Sequence, residues 1–194
     1  MASDMVLEQA VSPAPSGRPF GEGPNLRPSN PVYLELLGFL WDEAAVLDRD
    51  NLLQWRDMLD RNITYKMPVC ITRKRRGGTA YETEAMHFDE DYGSLAFRIR
   101  RFEETMAWAA DPPSRARRFV TGVRVWATPD PEIFDVTSSL LVIRTSDDEF
   151  ETDQITAERY DQIRFKPGPT LTLLSRRIVA DQTTLGTHNL AIFL

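Results

Sequence analysis

Cysteine and histidine are nearly absent from this chain: 194 residues contain one cysteine, Cys70, and two histidines, His87 and His188. A single cysteine excludes an internal disulfide framework and fits a reducing compartment, the cytoplasm. A cysteine-rich zinc site fails on the same count. A Rieske iron–sulfur centre fails too, because it needs two cysteines and two histidines around its irons. No apolar run reaches the ~18 residues that suggest a membrane span. The N-terminus lacks the basic-then-apolar order of a secretory signal. A net charge of −6 argues against a general nucleic-acid binder. There is no internal repeat, no glycine-rich phosphate loop and no nucleophile elbow. What is there is 42% hydrophobic and 27% charged, as in an ordinary globular protein, and the length suits one domain with a sizeable core.

Residues 1–31 hold Pro13, Pro15, Pro19, Pro24, Pro28 and Pro31 among Ser and Gly. Such a segment buries little apolar surface to offset its ordering entropy, so it reads as a tail or as an arm that orders on a partner subunit. Residues 1–25 are expected to add little to the stability of the isolated fold. Residues 32–194 read as one α+β domain. Asn30 with Pro31 starts a helix, and Leu34, Leu37, Trp41, Ala44, Ala45 and Leu47 form its apolar stripe. A second helix fits Asp50 to Asp60, with Leu52, Leu53, Trp55 and Leu59 turned inward. Ile63, Tyr65 and Met67 alternate as a strand ending at Pro68. Asp89-Glu90-Asp91 caps a third helix with Leu95, Phe97, Ile99 and Phe102 as its apolar residues. Strands are predicted over Phe119 to Ala127, Ile133 to Thr145, Phe150 to Ile163 and Thr170 to Ala180, joined by proline- and aspartate-rich turns into an antiparallel meander. Helices first and strands afterwards give an α+β layout with helices on one face of a curved sheet. The predicted core includes Leu37, Trp41, Trp55, Leu59, Val123, Leu141 and Leu173.

Two basic stretches stand out. Arg73-Lys74-Arg75-Arg76-Gly77-Gly78 reads as a solvated loop or as a dock for an acidic partner. Trp108-Ala-Ala-Asp111-Pro112-Pro113-Ser114-Arg115-Ala-Arg117-Arg118 is a rigid proline corner, because each proline lacks an N–H and restricts the residue before it. The corner delivers three guanidinium groups, planar forks suited to carboxylates and carbonyls, to the mouth of a strand. Alternation turns Arg115 and Arg117 to one face and Arg118 to the other. One side is expected to meet a neighbouring subunit. The other is expected to pair within the fold, with Asp161 and Glu158 as the acids.

The corner resembles the Trp-Ala-x-Asp-Pro-Pro-Ser-Arg-x-Arg-Arg signature of the small (β) subunits of aromatic-ring-hydroxylating, Rieske non-haem iron dioxygenases. Trp41-Asp-Glu-Ala-Ala-Val-Leu-Asp48, Trp55 with Tyr65-Lys-Met-Pro68, Arg159-Tyr-Asp161-Gln-Ile-Arg164 and Asn189-Leu190 with Phe193-Leu194 follow in the family's order, over roughly residues 32–194. Ala157 stands where the family usually has glycine. The resemblance implies a nuclear-transport-factor-2-like, cystatin-like cone. It further implies a large α subunit carrying the Rieske [2Fe–2S] cluster and a mononuclear Fe(II), an α3β3 assembly with other β subunits, and a ferredoxin and reductase bringing electrons from NADH. This chain would then be a structural subunit without cofactors, in an enzyme that adds O2 across an aromatic ring. Trp108, Asp111, Pro113, Ser114, Arg115, Arg117, Arg118, Arg159 and Asp161 are its expected subunit-contact residues. No nucleic acid or membrane is expected as a partner.

The alternative is a stand-alone isomerase or dehydratase of the same cone type. In that case His87, with an aspartate such as Asp48 or Asp89, is the general-base pair. An iron site built from His87, His188 and a carboxylate is the remaining formal arrangement.

Overall fold

The computed structural model describes residues 20–70, 81–109, 115–145, 152–165, 170–182, 185 and 193–194. The described elements run β1 (Asn25–Leu26), α1 (Pro31–Leu47), α2 (Leu52–Asp57), β2 (Leu59–Cys70), β3 (Tyr81–Asp91), α3 (Tyr92–Ala109), β4 (Arg115–Ala127), β5 (Ile133–Thr145), β6 (Thr152–Phe165) and β7 (Leu171–Ala180). Helix starts follow the capping chemistry. The Asn30 side chain accepts from the Val32 N–H at 2.9 Å with Pro31 behind it. Asp91 and Ser94 cap α3 reciprocally, the Ser94 N–H donating to Asp91 Oδ1 at 2.8 Å and the Asp91 N–H to Ser94 Oγ at 2.9 Å. The second helix is shorter than predicted. Asp50 turns the chain at a φ of 53°, and Leu59 begins a strand.

All seven strands form one sheet in the order β1-β4-β5-β6-β7-β2-β3. The four predicted long strands pair as an antiparallel meander, but the sheet as a whole is mixed. β2 lies parallel to β7, with Tyr65 opposite Arg176, and β3 pairs with β2 at the edge. A parallel pair needs a long crossover connection. Here that connection is β3, α3 and β4 to β6 together, which leaves no local mark in the sequence. Pro68 lies within β2 at a register shift rather than at its end, a position where a missing N–H is tolerated.

The helices cover one face of the sheet, the inner one, and share a single hydrophobic cluster with it. The phase of α1 differs from the predicted stripe. Leu36, Leu40, Glu43 and Leu47 point inward, while Leu34 and Trp41 are each 55% exposed. Phe39, Val46, the leucines, Ala44 and Trp41 together spread apolar surface over most of this helix's circumference, so its own pattern does not select a face. The inward demand of Glu43 does, as shown below. Trp55, Leu59 and Leu173 are buried as predicted, whereas Leu37, Val123 and Leu141 are half-buried. Leu53 and Phe97 are exposed.

Residues from Phe20 to Leu26 do not stand apart from the domain. Phe20 stacks edge-on against Trp126 and Tyr160, at centroid distances of 6.5 and 5.4 Å. The Gly21 N–H donates to Asp135 Oδ2 at 3.0 Å, and β1 pairs with the end of β4. At Gly23 a Cβ would fall 1.8 Å from the Ala127 carbonyl oxygen, so only glycine permits this approach. The expectation that residues up to 25 contribute little is therefore corrected for 20–25: ordered ring contacts and ladder bonds hold them to their own sheet.

Candidate functional site

Inside the cone, three elements bring four charged side chains together. α1 supplies Glu43, β6 supplies Arg159 and Asp161 from alternate positions, and β7 supplies Arg176, the register partner of Asp161. None is more than 1% exposed. Arg176 holds both carboxylates. Its Nε and Nη2 donate to Asp161 Oδ1 and Oδ2, each at 2.8 Å. Its Nη1 and Nη2 donate to Glu43 Oε1 and Oε2 at 2.8 and 2.7 Å. These are bidentate forks of the kind a guanidinium suits best. Arg159 Nη1 stands 3.5 Å from Glu43 Oε2, and its Nε donates to Ser138 Oγ at 3.0 Å. Two carboxylates and two guanidiniums make the group neutral, which is how charges survive burial.

Burial by itself would raise the Glu43 carboxyl. Arg176 and then Arg159, with hydrogen bonds from Arg176 and Trp55, outweigh it and hold the group below the ordinary glutamate value. Burial likewise opposes the charge on Arg176, yet Asp161 and Glu43 keep it well above the usual arginine range. Arg159 is pushed down, by burial first and then by its neighbour Arg176.

Aromatic rings and one chain segment close the space above this group. Trp55 Nε1 donates to Glu43 Oε1 at 3.0 Å. The Tyr65 hydroxyl donates to the Leu194 carbonyl oxygen and accepts from the Leu194 N–H, both at 2.9 Å. Arg176 Nη1 also donates to that carbonyl at 3.0 Å. The Phe193 ring lies 4.4 Å from Trp55, and the Arg98 guanidinium sits 4.7 Å over Phe193. Around this charged group the described side chains pack closely, while a cavity of about 450 Å³ opens beyond Phe193 beside Arg98 and Phe102.

The corner arginines divide as the alternation requires, but with a different acid. Arg118 is buried. Its Nη1 donates to Asp48 Oδ1 at 2.9 Å, its backbone N–H to both Asp48 oxygens at 3.1 and 3.2 Å, and its Nε and Nη2 to the Phe193 carbonyl at 3.1 and 2.8 Å. Asp48 therefore takes the role expected of Asp161 or Glu158. Asp161 is committed to Arg176, and Glu158 accepts from the Tyr160 hydroxyl. Arg117 points outward, 70% exposed and 3.5 Å from Asp48, and Arg115 is exposed on the same face. Arg159 and Asp161, expected at subunit contacts, are taken up inside this chain.

Asp111, Pro113 and Ser114, the side chain of Trp108, the 73–78 basic loop and His188 lie outside the described residues. His87 is half-buried on β3 at one end of the sheet order, whereas Asp48 is bound by Arg118 on β4 near the other. That separation keeps His87 and Asp48 from forming a base pair, and Asp89, the other candidate, lies 3.2 Å from Lys66 Nζ. Among the described residues no three His, Cys, Asp or Glu side chains group as metal ligands do. One cysteine and two histidines do not fit a Rieske cluster.

Sequence reasoning missed Glu43 and Arg176. The available signal was an acid at 40 plus 3 in a Leu36, Leu40, Leu47 stripe, where an inward carboxylate demands a buried cation.

The family described as "Ring hydroxylating beta subunit" matches residues 42–187. Among solved structures, naphthalene 1,2-dioxygenase with indole bound in its active site aligns with a TM-score of 0.74 at 23% identity, over 84% of this chain and 85% of that one. The β subunit of benzoate 1,2-dioxygenase from Burkholderia mallei aligns with a TM-score of 0.64 at 15% identity, over 87% and 100%. ActVI-ORFA from Streptomyces coelicolor follows with a TM-score of 0.56 at 13% identity, over 78% and 96%. At these identities the structures establish a shared nuclear-transport-factor-2-like cone, and the stand-alone isomerase reading is not favoured. The family match covers well over half of the chain, and on it the protein belongs to the ring-hydroxylating β subunits, the small subunits of aromatic-ring-hydroxylating dioxygenases.

Proposed function

We propose that this chain carries out no ring chemistry itself and serves as a rigid structural subunit of its oxygenase. The observation that carries this reading is that the buried carboxylates of the cone are already occupied. Glu43 and Asp161 are locked to Arg176, and Trp55, Tyr65, Phe193 and Leu194 occupy the space above them. A general base needs a free carboxylate or imidazole within hydrogen-bond reach of a substrate proton. The interior acids described here are already spent on guanidinium groups.

The partner is a large α subunit holding the Rieske [2Fe–2S] cluster and the mononuclear iron, assembled as α3β3 in the cytoplasm. Electrons reach it from NADH through a reductase and a ferredoxin. The aromatic substrate is chosen mainly by the pocket of that subunit. On this reading Arg115 and Arg117 face a neighbouring subunit, and the buried Arg118 fixes the strand that carries them. Residues 1–31 act as an arm on a domain formed by 32–194, with Phe20 to Leu26 laid on that domain's own sheet.

The test is to purify the chain alone, the large subunit alone and the two co-expressed. Each is then assayed for iron and, with ferredoxin, reductase and NADH, for cis-dihydrodiol formation. The chain alone is expected to hold no stoichiometric iron and to be inactive, and the pair to co-purify and turn over. Turnover or stoichiometric iron in the chain alone would overturn the proposal.

A further inference from the structure

The first strand lies along the end of β4, and beside it opens a groove outside the buried network described above. Asn25 and Leu26 pair with Trp126 and Val125, and Asn25 Nδ2 donates to the Val125 carbonyl at 3.2 Å. The Tyr33 hydroxyl donates to the Val123 carbonyl at 3.0 Å, which seats the start of α1 against the same strand. Between these elements lies a cavity of about 540 Å³, within the size range of small-molecule sites. Leu26, Tyr33, Val123 and Trp126 line it, with Pro28 at the turn into α1.

Two guanidinium groups join that lining from different elements. Arg27 comes from the turn between β1 and α1, and Arg124 from β4, two residues before Trp126 and on the same face. Both are exposed, and among the described residues neither forms an ion pair. No carboxylate of the described residues lines the cavity. Acids beyond it are committed elsewhere. Asp135, the register partner of Trp126, accepts from the Gly21 N–H and from Gln162, and Glu158 accepts from the Tyr160 hydroxyl. Glu22 and Glu35, close in sequence, are exposed and stand outside the lining. The groove is therefore cationic in a chain of net charge −6. A guanidinium is a planar fork matched to a carboxylate, and aromatic walls favour a flat ring.

We propose that this groove between β1, the start of α1 and β4 binds a small aromatic carboxylate, with its ring against Trp126 and Tyr33 and its carboxylate at Arg27 and Arg124. The site holds its ligand and offers no base, so it adds a binding function and does not rest on the functional reading above. A docked protein surface favours an open face, whereas β1 and α1 bound this volume on two sides. Because β1 and the turn after it form one wall, the site exists only while residues 25–27 lie along β4.

The experiment titrates the full chain, alone and co-purified with its large subunit, with cinnamate, its uncharged amide and acetate. Calorimetry measures affinity, and the NMR shift of the Trp126 indole N–H in the chain alone reports the place. Cinnamate is expected to bind saturably and to move that signal. Its amide and acetate are expected to bind roughly tenfold or more weakly, the factor carried by one lost hydrogen bond to a charged group or by the lost ring. Arg27→Gln/Arg124→Gln is expected to weaken cinnamate by a similar factor with an unchanged thermal midpoint. Arg56→Gln/Arg100→Gln, the same charge change on α2 and α3, is expected to bind as wild type. No saturable binding, an unmoved Trp126 signal, equal binding of acetate, or undiminished binding by Arg27→Gln/Arg124→Gln would each overturn the inference. Binding that is present in the chain alone and vanishes in the complex would assign the groove to a protein partner and overturn it as well.

Discussion

Arg176 and Glu43 lie 133 residues apart in sequence and meet through two parallel hydrogen bonds of 2.8 and 2.7 Å, both side chains almost fully buried. The pair ties the first helix to the last strand. Asp161 on the other side of the same guanidinium ties that strand to its neighbour. A buried ion pair contributes little net stability when complete, because desolvation offsets the attraction, but losing one member strands the other. The pair therefore acts chiefly on which face of α1 turns inward.

Replacing the cation alone is accordingly severe. Arg176→Met is expected to destabilise the chain by about 3–5 kcal/mol, since two buried carboxylates lose their main partner. Adding Glu43→Leu is expected to cost less than the sum of the single changes, with a coupling of about 0.5–3 kcal/mol. Urea unfolding of the four proteins in this cycle measures it, and strict additivity would mean that the two side chains do not act as a pair.

The same network sets an acid limit. The folded-state carboxyl of Glu43 lies below its unfolded value, which is about 4.3. Its contribution to stability is therefore complete above that unfolded value and is lost as pH falls through the lower, folded one. Stability is expected to be flat in this respect near neutrality and to decline below about pH 4.3. Glu43→Gln is expected to be less stable than wild type at pH 7 and to close that gap as the pH is lowered. Denaturation midpoints of both proteins across pH 3–7 (roughly the carboxylate range) check the sign.

Trp55 fills the core and donates to Glu43. Trp55→Ala is expected to cost about 3–5 kcal/mol as a large-to-small change. Trp55→Phe keeps most of the volume and removes a hydrogen bond to a charged acceptor, for about 1.5–3 kcal/mol. A near-zero loss in Trp55→Phe, measured by chemical denaturation, would show that the indole N–H is not used.

At the corner the two adjacent arginines are expected to behave in opposite ways. Asp48→Ala leaves the buried Arg118 without its carboxylate and is expected to cost about 3–5 kcal/mol. Arg117→Ala removes a 70% exposed side chain and is expected to cost at most about 1 kcal/mol in the isolated chain. Thermal unfolding separates the two, and a large loss from Arg117→Ala would place its guanidinium inside the fold.

The segment before α1 gives a last test. Gly23→Ala places a methyl group against the Ala127 carbonyl and is expected to lift β1 off β4. Phe20→Ala removes two edge-on ring contacts, each worth about 0.5–1.5 kcal/mol beyond the area they bury. Both variants are expected to lower the thermal midpoint, and an unchanged midpoint in both would show that this stretch adds nothing to the isolated fold.

Local chemistry in the sequence determined the helix starts at Asn30-Pro31 and Asp91, the extents of β4 and β5 within a few residues, and the opposite facing of Arg117 and Arg118. These follow from capping, from prolines and from the period of two in a strand, each readable within a few residues. The ordered signature from Trp41 to Leu194 also carried the family. Tertiary structure alone decided the rest. The parallel pairing of β2 with β7 joins segments with most of the chain between them. The inward choice of Glu43 over Trp41 was settled by an arginine on the last strand, because burying a charge is tolerable only where its partner already waits. The acid for Arg118 proved to be Asp48 at the end of α1, since packing that helix across the inner face sets its last residue beside β4.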